Sequence, residues 1–232
     1  MFRRKTIWHR DEIPIGDYLM TFQENLRKEF MDGFESLEQA AIALGHTTLD
    51  RPDHNVGKNT YNNLVQAKTD RWRPDINGWK NVAFKYTLKD ERNNILRTTE
   101  ETDPIAVRCP TAFKLMQEYG DDCPILNYSI LAPRSAILRH TGPENRSGRF
   151  IRIHIPLIVP EGDVFLEVDG EEVTWKDLFG FNNQYAHSAY NLTDEWRLIF
   201  LIDIDRQRAG LPPGEPYNPR YVPKPHMRRV LQ

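Results

Sequence analysis

The stretch RHTGPENRSGRFIRIHIPLIV, residues 139–159, carries two histidines and four arginines, yet it reads as a turn running into a buried strand. Gly142 and Pro143 mark the turn, and from Phe150 onward the pattern is that of a β-strand, whose successive side chains point to opposite faces. Phe150, Arg152, His154 and Pro156 then share one face, and Ile151, Ile153, Ile155 and Leu157 share the other. If the first face lines the interior of a barrel, Arg152 needs an anion there, because burying an unpaired guanidinium costs on the order of several kcal/mol.

Working outward, the chain from Pro124 on is a series of short β-branched or aromatic runs: ILNYSIL, SAILRH, RFIRIHIPLIV, DVFLEV, EEVTW, AHSAYN and EWRLIFLIDI. Pro, Gly, Asn and Asp separate them, which predicts an antiparallel sandwich or barrel. Asp169-Gly170, between FLEV and EEVTW, is a hairpin signal. Arg197 repeats the problem posed by Arg152, a lone cation in an almost wholly apolar strand. Two inward arginines call for an acidic guest, unless each pairs with an internal Asp or Glu. His187 lies ten residues before Arg197, and His140 forty-seven before His187. A single histidine is more often a satisfied polar group than a ligand. Two imidazoles on two β-segments, beside two cations that want a dicarboxylate, suit a non-haem Fe(II) centre using 2-oxoglutarate.

The remaining sequence frames this β-region. Leu19, Phe22, Leu26 and Phe30 recur at helical spacing, and Ser36 with Gln39 resembles a capping box opening a helix that Gly45 closes. Residues 51–78 are polar with little period and are expected to form a long loop, either a substrate lid or plain disorder. Pro110 suits the first turn of a helix carrying Phe113 and Met116, with Gly120 at its end. The Pro-rich tail 206–232 reads as an extended arm. The expected division is therefore a helical and loop region 1–78, a catalytic β-core 79–205 and the arm, acting as one functional domain.

Charge and composition exclude several partners. The 232 residues suffice for one sizeable core, and a net charge of −2 with both signs interspersed leaves no basic stripe for nucleic acid. No apolar run approaches a membrane span, and MFRRKTIWHRDEIP lacks the apolar stretch of a secretory signal, so a soluble cytoplasmic protein is expected. Cys109 and Cys123 match neither a disulfide framework nor a zinc spacing and read as free thiols.

In order along the chain, GWKNVAFKY, YSILAPRSAILRHTGPEN, RIHIPLIVPEG, TW after a hairpin, a second histidine and WRLIFLIDI resemble the aspartyl/asparaginyl β-hydroxylase family of 2-oxoglutarate oxygenases. The resemblance covers roughly residues 79–205. HTGPxN with a distal histidine and an arginine ten residues after it is far more specific than any one histidine. The resemblance implies a mainly β protein with N-terminal helices, built on a double-stranded β-helix (a cupin-like jelly roll). It makes His140 and His187 the catalytic iron ligands, and Ser129, Arg152, His154 and Arg197 the 2-oxoglutarate contacts. Arg197 would hold the distal carboxylate, with the other three at the iron-chelating end.

The implied reaction consumes O2 and 2-oxoglutarate, releases succinate and CO2, and hydroxylates an unactivated C–H bond. Related chemistry often adds a carboxylate ligand two residues after the first histidine, but Gly142 stands there. The family shares this gap and fills it with water. Chloride could occupy the same position, which makes a halogenase the alternative; a non-catalytic jelly-roll binding protein is the second. Glu144 reads as a solvated turn residue, or else as an outer-sphere base or further ligand. Departures from the family fall where substrate should be recognised: the insertion in RSGRF, Phe150 in place of a family arginine that Arg149 could replace, and Asn182-Asn183 in place of an Asp pair. An amino-acid-like or other small molecule is therefore the expected substrate in preference to a protein domain.

Overall fold

The computed structural model describes residues 5–45, 79–89, 95–142, 145–218 and 220–222. The expected loop 51–78 and Glu144 lie outside these residues. The described strands are β1 (Ile7–His9), β2 (Trp79–Lys89), β3 (Ile95–Thr98), β4 (Ile125–Leu131), β5 (Ser135–His140), β6 (Phe150–Ile158), β7 (Val164–Val168), β8 (Glu171–Thr174), β9 (Phe179–Phe181), β10 (His187–Asn191) and β11 (Arg197–Asp205). The helices are α1 (Gly16–Met20), α2 (Gln23–Met31), α3 (Leu37–Gly45), α4 (Pro104–Arg108) and α5 (Pro110–Tyr119).

Two antiparallel sheets face each other, a large one in the order β1-β9-β6-β11-β4-β2-β3 and a small one in the order β5-β10-β7-β8. From β4 to β11 the chain alternates between the sheets, except at the β7–β8 hairpin. The core orders β4-β11-β6-β9 and β5-β10-β7-β8 are those of a double-stranded β-helix, two Greek keys closed into a jelly roll. The hairpin forms at Asp169-Gly170 with φ of 48° and 82°, the doubly left-handed turn that tight hairpins favour. Strands β1, β2 and β3 widen the large sheet beyond the segments expected from Pro124 onward.

The alternation in β6 decides the layering. Ile151, Ile153, Ile155 and Leu157 join one buried cluster with Leu26 and Phe30 of α2 and Leu115 of α5, so the helices cover the outer face of the large sheet. Arg152 and His154 turn the other way, into the space between the sheets. There Leu166, Trp175, Phe181 and Ile199 form the inner core. Strand β11 is buried along all nine residues, because it has helices on one side and the small sheet on the other. Pro156, which has no N–H to give, sits where the β6–β11 register slips at Leu198/Ile199.

The helices are shorter than the apolar spacing predicts. Leu19 and Leu26 lie on separate helices, with the break at Thr21-Phe22, where Thr21 Oγ1 donates to the Tyr18 carbonyl (2.6 Å). A nine-residue helix is marginal alone, so packing holds it. Leu26 and Phe30 are fully buried, each contributing about 1.5–3 kcal/mol, and Tyr128 OH donates to the Leu26 carbonyl (3.1 Å). Ser36 caps Gln39 N–H (3.2 Å), but the Gln39 side chain takes Glu35 N–H and so closes the box one residue early. Pro110 and Gly120 bound α5 as expected. Both cysteines are buried and free; burial pushes the Cys109 thiol up to about 12 and raises that of Cys123 as well. Among the described residues, no helix is long and apolar enough to cross a membrane.

Candidate active site

His140 ends β5 and His187 begins β10, and the register pairs these two residues directly across the small sheet. Their ring centroids are 4.3 Å apart, close enough for one cation to lie between them. The Tyr185 carbonyl accepts from His187 Nδ1 (2.8 Å), which leaves Nε2 with its lone pair, the form a metal ligates. Burial, reinforced by the nearby His140, holds the His187 pKa well below the usual histidine range, so the ring is neutral at physiological pH. A neutral His187 imidazole 4.3 Å from the ring of His140, with both residues lining one cavity, fits a divalent transition metal. Among the described residues, no third His, Cys, Asp or Glu completes a cluster with them.

Ser129, Arg152, His154 and Arg197 line the same cavity as the two histidines, so all six residues singled out from the sequence converge. Their states differ. Arg152 already has a counter-ion: Nε and Nη2 meet Asp203 Oδ1 and Oδ2 at 2.7 and 2.8 Å, across the β6–β11 pair. Of the two inward arginines, Arg197 is thus the one that calls for an acidic guest. Arg197 is 1% exposed, and neither its Nε nor its Nη2 has a hydrogen-bond partner among the described residues. Its guanidinium lies 4.8 Å from the centroid of the Trp175 ring, and burial pushes its pKa down to about 9. Desolvation without a neighbouring counter-charge is the cause of that shift, and a bound carboxylate would offset it.

Trp79, Trp175, Asp203 and Asn145 were not identified as functional from the sequence. The Trp79 indole N–H donates to Ser129 Oγ (3.0 Å), and its ring lies 6.4 Å from that of His140. Asp203 could have been found by parity, since 197, 199, 201 and 203 share one face of β11. Asn145, wholly buried, donates from Nδ2 to Asn183 Oδ1 (2.8 Å) and Asn182 Oδ1 (3.2 Å), while the Asn183 carbonyl accepts from Gly142 N–H (2.7 Å). Asn182-Asn183 thus brace the turn after His140 against the segment before His187. Arg149 does not replace the missing family arginine at Phe150; it pairs with Asp205 (2.5 Å) and Asp122 (2.9 Å). The described part of the C-terminal arm packs on this rim. The Gln184 side chain donates to the Glu215 carbonyl (2.9 Å), and Tyr221 OH bridges Ala186 N–H (3.2 Å) and Asp169 (2.6 Å).

A larger cleft of about 560 Å³ opens elsewhere, between Arg10 and Lys176. Within it Arg10 pairs with Asp17 (2.8 Å) and Asp177 (3.5 Å).

The fold is a cupin-like jelly roll whose inner cavity is lined by two paired histidines and by Arg197, buried with no acceptor for Nε or Nη2 among the described residues. Residues 42–207 match the family described as aspartyl/asparaginyl beta-hydroxylase, and the chain belongs to that family. The human aspartyl/asparaginyl beta-hydroxylase is 28% identical over 95 residues, which are 38% of this chain and 12% of that protein. The ornithine lipid ester-linked acyl 2-hydroxylase of Rhizobium tropici is 29% identical over 100 residues, 41% of this chain and 34% of that one. The matched segments thus span about a third or less of these relatives' length. Among solved structures, a non-heme monooxygenase in complex with nickel aligns over 45% of this chain and 55% of its own, with 16% identity and a TM-score of 0.31. A predicted oxalate decarboxylase of Thermotoga maritima aligns over 39% and 73%, with 15% identity and a TM-score of 0.31.

Proposed function

We infer that this chain is an Fe(II)- and 2-oxoglutarate-dependent oxygenase that hydroxylates an unactivated C–H bond of a small, amino-acid-like substrate. The observation that carries this reading is the Arg197 guanidinium, buried with no acceptor for Nε or Nη2 among the described residues, in the cavity that also holds His140 and His187. A dicarboxylate is the guest that serves both ends, with one carboxylate on the cation and the other end near the imidazoles.

His140 and His187 would hold the iron, which when bound supplies O2 activation coupled to oxidative decarboxylation of 2-oxoglutarate. The protein's own residues do the rest. Arg197 binds the distal carboxylate, and Ser129, fixed by Trp79, offers its hydroxyl on the same wall. Arg152, already neutralised by Asp203, and His154 contribute donors without adding two further uncompensated charges. The apolar walls from Leu166, Phe181 and Ile199 exclude water, which strengthens these bonds.

The test is an anaerobic titration of metal-stripped protein with Fe(II) and 2-oxoglutarate, following the visible charge-transfer band. Its appearance supports the reading; its absence from folded protein favours the binding-protein alternative. Gly142, which has no side chain to coordinate, keeps halogenation as the second reading, and product mass with chloride present separates the two. His187→Ala is expected to abolish iron-dependent succinate release while the protein stays folded, and undiminished turnover would remove His187 from the metal shell.

A further inference from the structure

One residue touches both groups that the proposed co-substrate would meet, and neither composition nor motif assigns it that role. Trp175 follows β8 and is 2% exposed. Its indole N–H donates to His154 Nδ1 (3.1 Å), while its ring carries the Arg197 guanidinium. An indole nitrogen can only donate, so His154 Nδ1 must accept and cannot hold a proton. The neutral ring therefore carries its proton on Nε2. That atom is buried and has no hydrogen-bond partner among the described residues, and the ring lines the cavity beside Arg197. Burial and the fields of Arg152 and Arg197 keep His154 uncharged.

We propose that Trp175 is the positioning residue of the anion site: it fixes His154 as an Nε2–H donor and backs Arg197, so that both groups are ready for one carboxylate-bearing ligand. This rests on the co-substrate reading above and deepens it. Without the indole N–H, His154 can exchange to the other tautomer, which presents a lone pair where an anion needs a donor. Phe179 and Phe181 pack on the imidazole at 5.4 and 5.1 Å between centroids but offer it no polar partner, so Trp175 sets the tautomer.

The experiment has two readouts. Long-range ¹H–¹⁵N correlation spectra of the metal-free, ligand-free protein report which His154 nitrogen is protonated. Calorimetry with Fe(II) and 2-oxoglutarate under anaerobic conditions reports affinity. The wild type should show the Nε2–H tautomer. Trp175→Phe, which keeps an aromatic face for Arg197 but loses the N–H, should give mixed tautomers and weaken 2-oxoglutarate about tenfold or more. Trp175→Leu, which also loses the ring, should weaken it further. A wild-type His154 protonated on Nδ1 overturns the proposal whatever binds. So does a folded Trp175→Phe protein with unchanged tautomer and unchanged affinity. Should Trp175→Phe fail to fold, the wild-type tautomer decides alone. A wild type with the Nε2–H tautomer that binds no 2-oxoglutarate sinks the co-substrate and leaves the positioning role of Trp175 standing.

Discussion

The Arg197 guanidinium, 1% exposed and with two nitrogens lacking acceptors among the described residues, is stable in place only because the surrounding fold holds it there. Removing it should therefore have opposite effects on stability and on binding. Arg197→Met is expected to raise the thermal midpoint of the ligand-free protein, since an unpaired buried cation gives way to an apolar side chain of similar length. It should also weaken 2-oxoglutarate by about 2–5 kcal/mol, the usual cost of deleting one member of a buried charge pair. Thermal melts with and without 2-oxoglutarate check both signs. A lower ligand-free midpoint would mean that Arg197 has a structural partner. Arg152 is the contrasting case, because its bidentate pairing with Asp203 makes it part of the framework before any ligand arrives. The two arginines look equivalent in the sequence, and their difference comes from what lies across the strand pair.

The elements that matter most for the site are the two short segments joined by Asn145. His140 and His187 are held opposite each other by the β5–β10 register, and Asn145 with Asn183 closes the rim above them. Asn145→Ala is expected to destabilise the protein by about 1–3 kcal/mol, because it leaves the Phe150 N–H and carbonyl and the Asn183 side chain short of their buried partner. It should also weaken Fe(II) binding. Urea unfolding and a metal titration read the two effects, and an unchanged urea midpoint would show that water replaces the amide. Much at this scale was legible beforehand. The β6 alternation sorted the isoleucines from Arg152 and His154, and Asp169-Gly170 marked its hairpin, because both follow from local backbone geometry. The brace itself was not legible, since Asn145 and Asn183 meet only through the jelly-roll crossover.

Across the whole molecule, the layering makes stability depend on pH in a definable window. His154 and His187 are buried with pKa values held well below the ordinary value near 6.5. The unfolded chain therefore binds protons that the folded one refuses, and stability falls as pH drops through about 6.5. The expected loss is up to about 1.4 kcal/mol per pH unit for each histidine, before the carboxylates titrate at lower pH. Urea midpoints at pH 7.5 and 5.5 check this, and equal midpoints would show that both rings are protonated in the native state. The sequence by itself determined the class of fold, the hairpin and the inward face of β6, because alternation and turn chemistry are properties of neighbours along the chain, and its resemblance to the family pointed to the six residues that line one cavity. Only the tertiary structure decided that Asp203 neutralises Arg152, that Arg197 finds no acceptor for Nε or Nη2 among the described residues and that Trp175 donates to His154. Each of these depends on which side chains face one another across strands far apart in sequence.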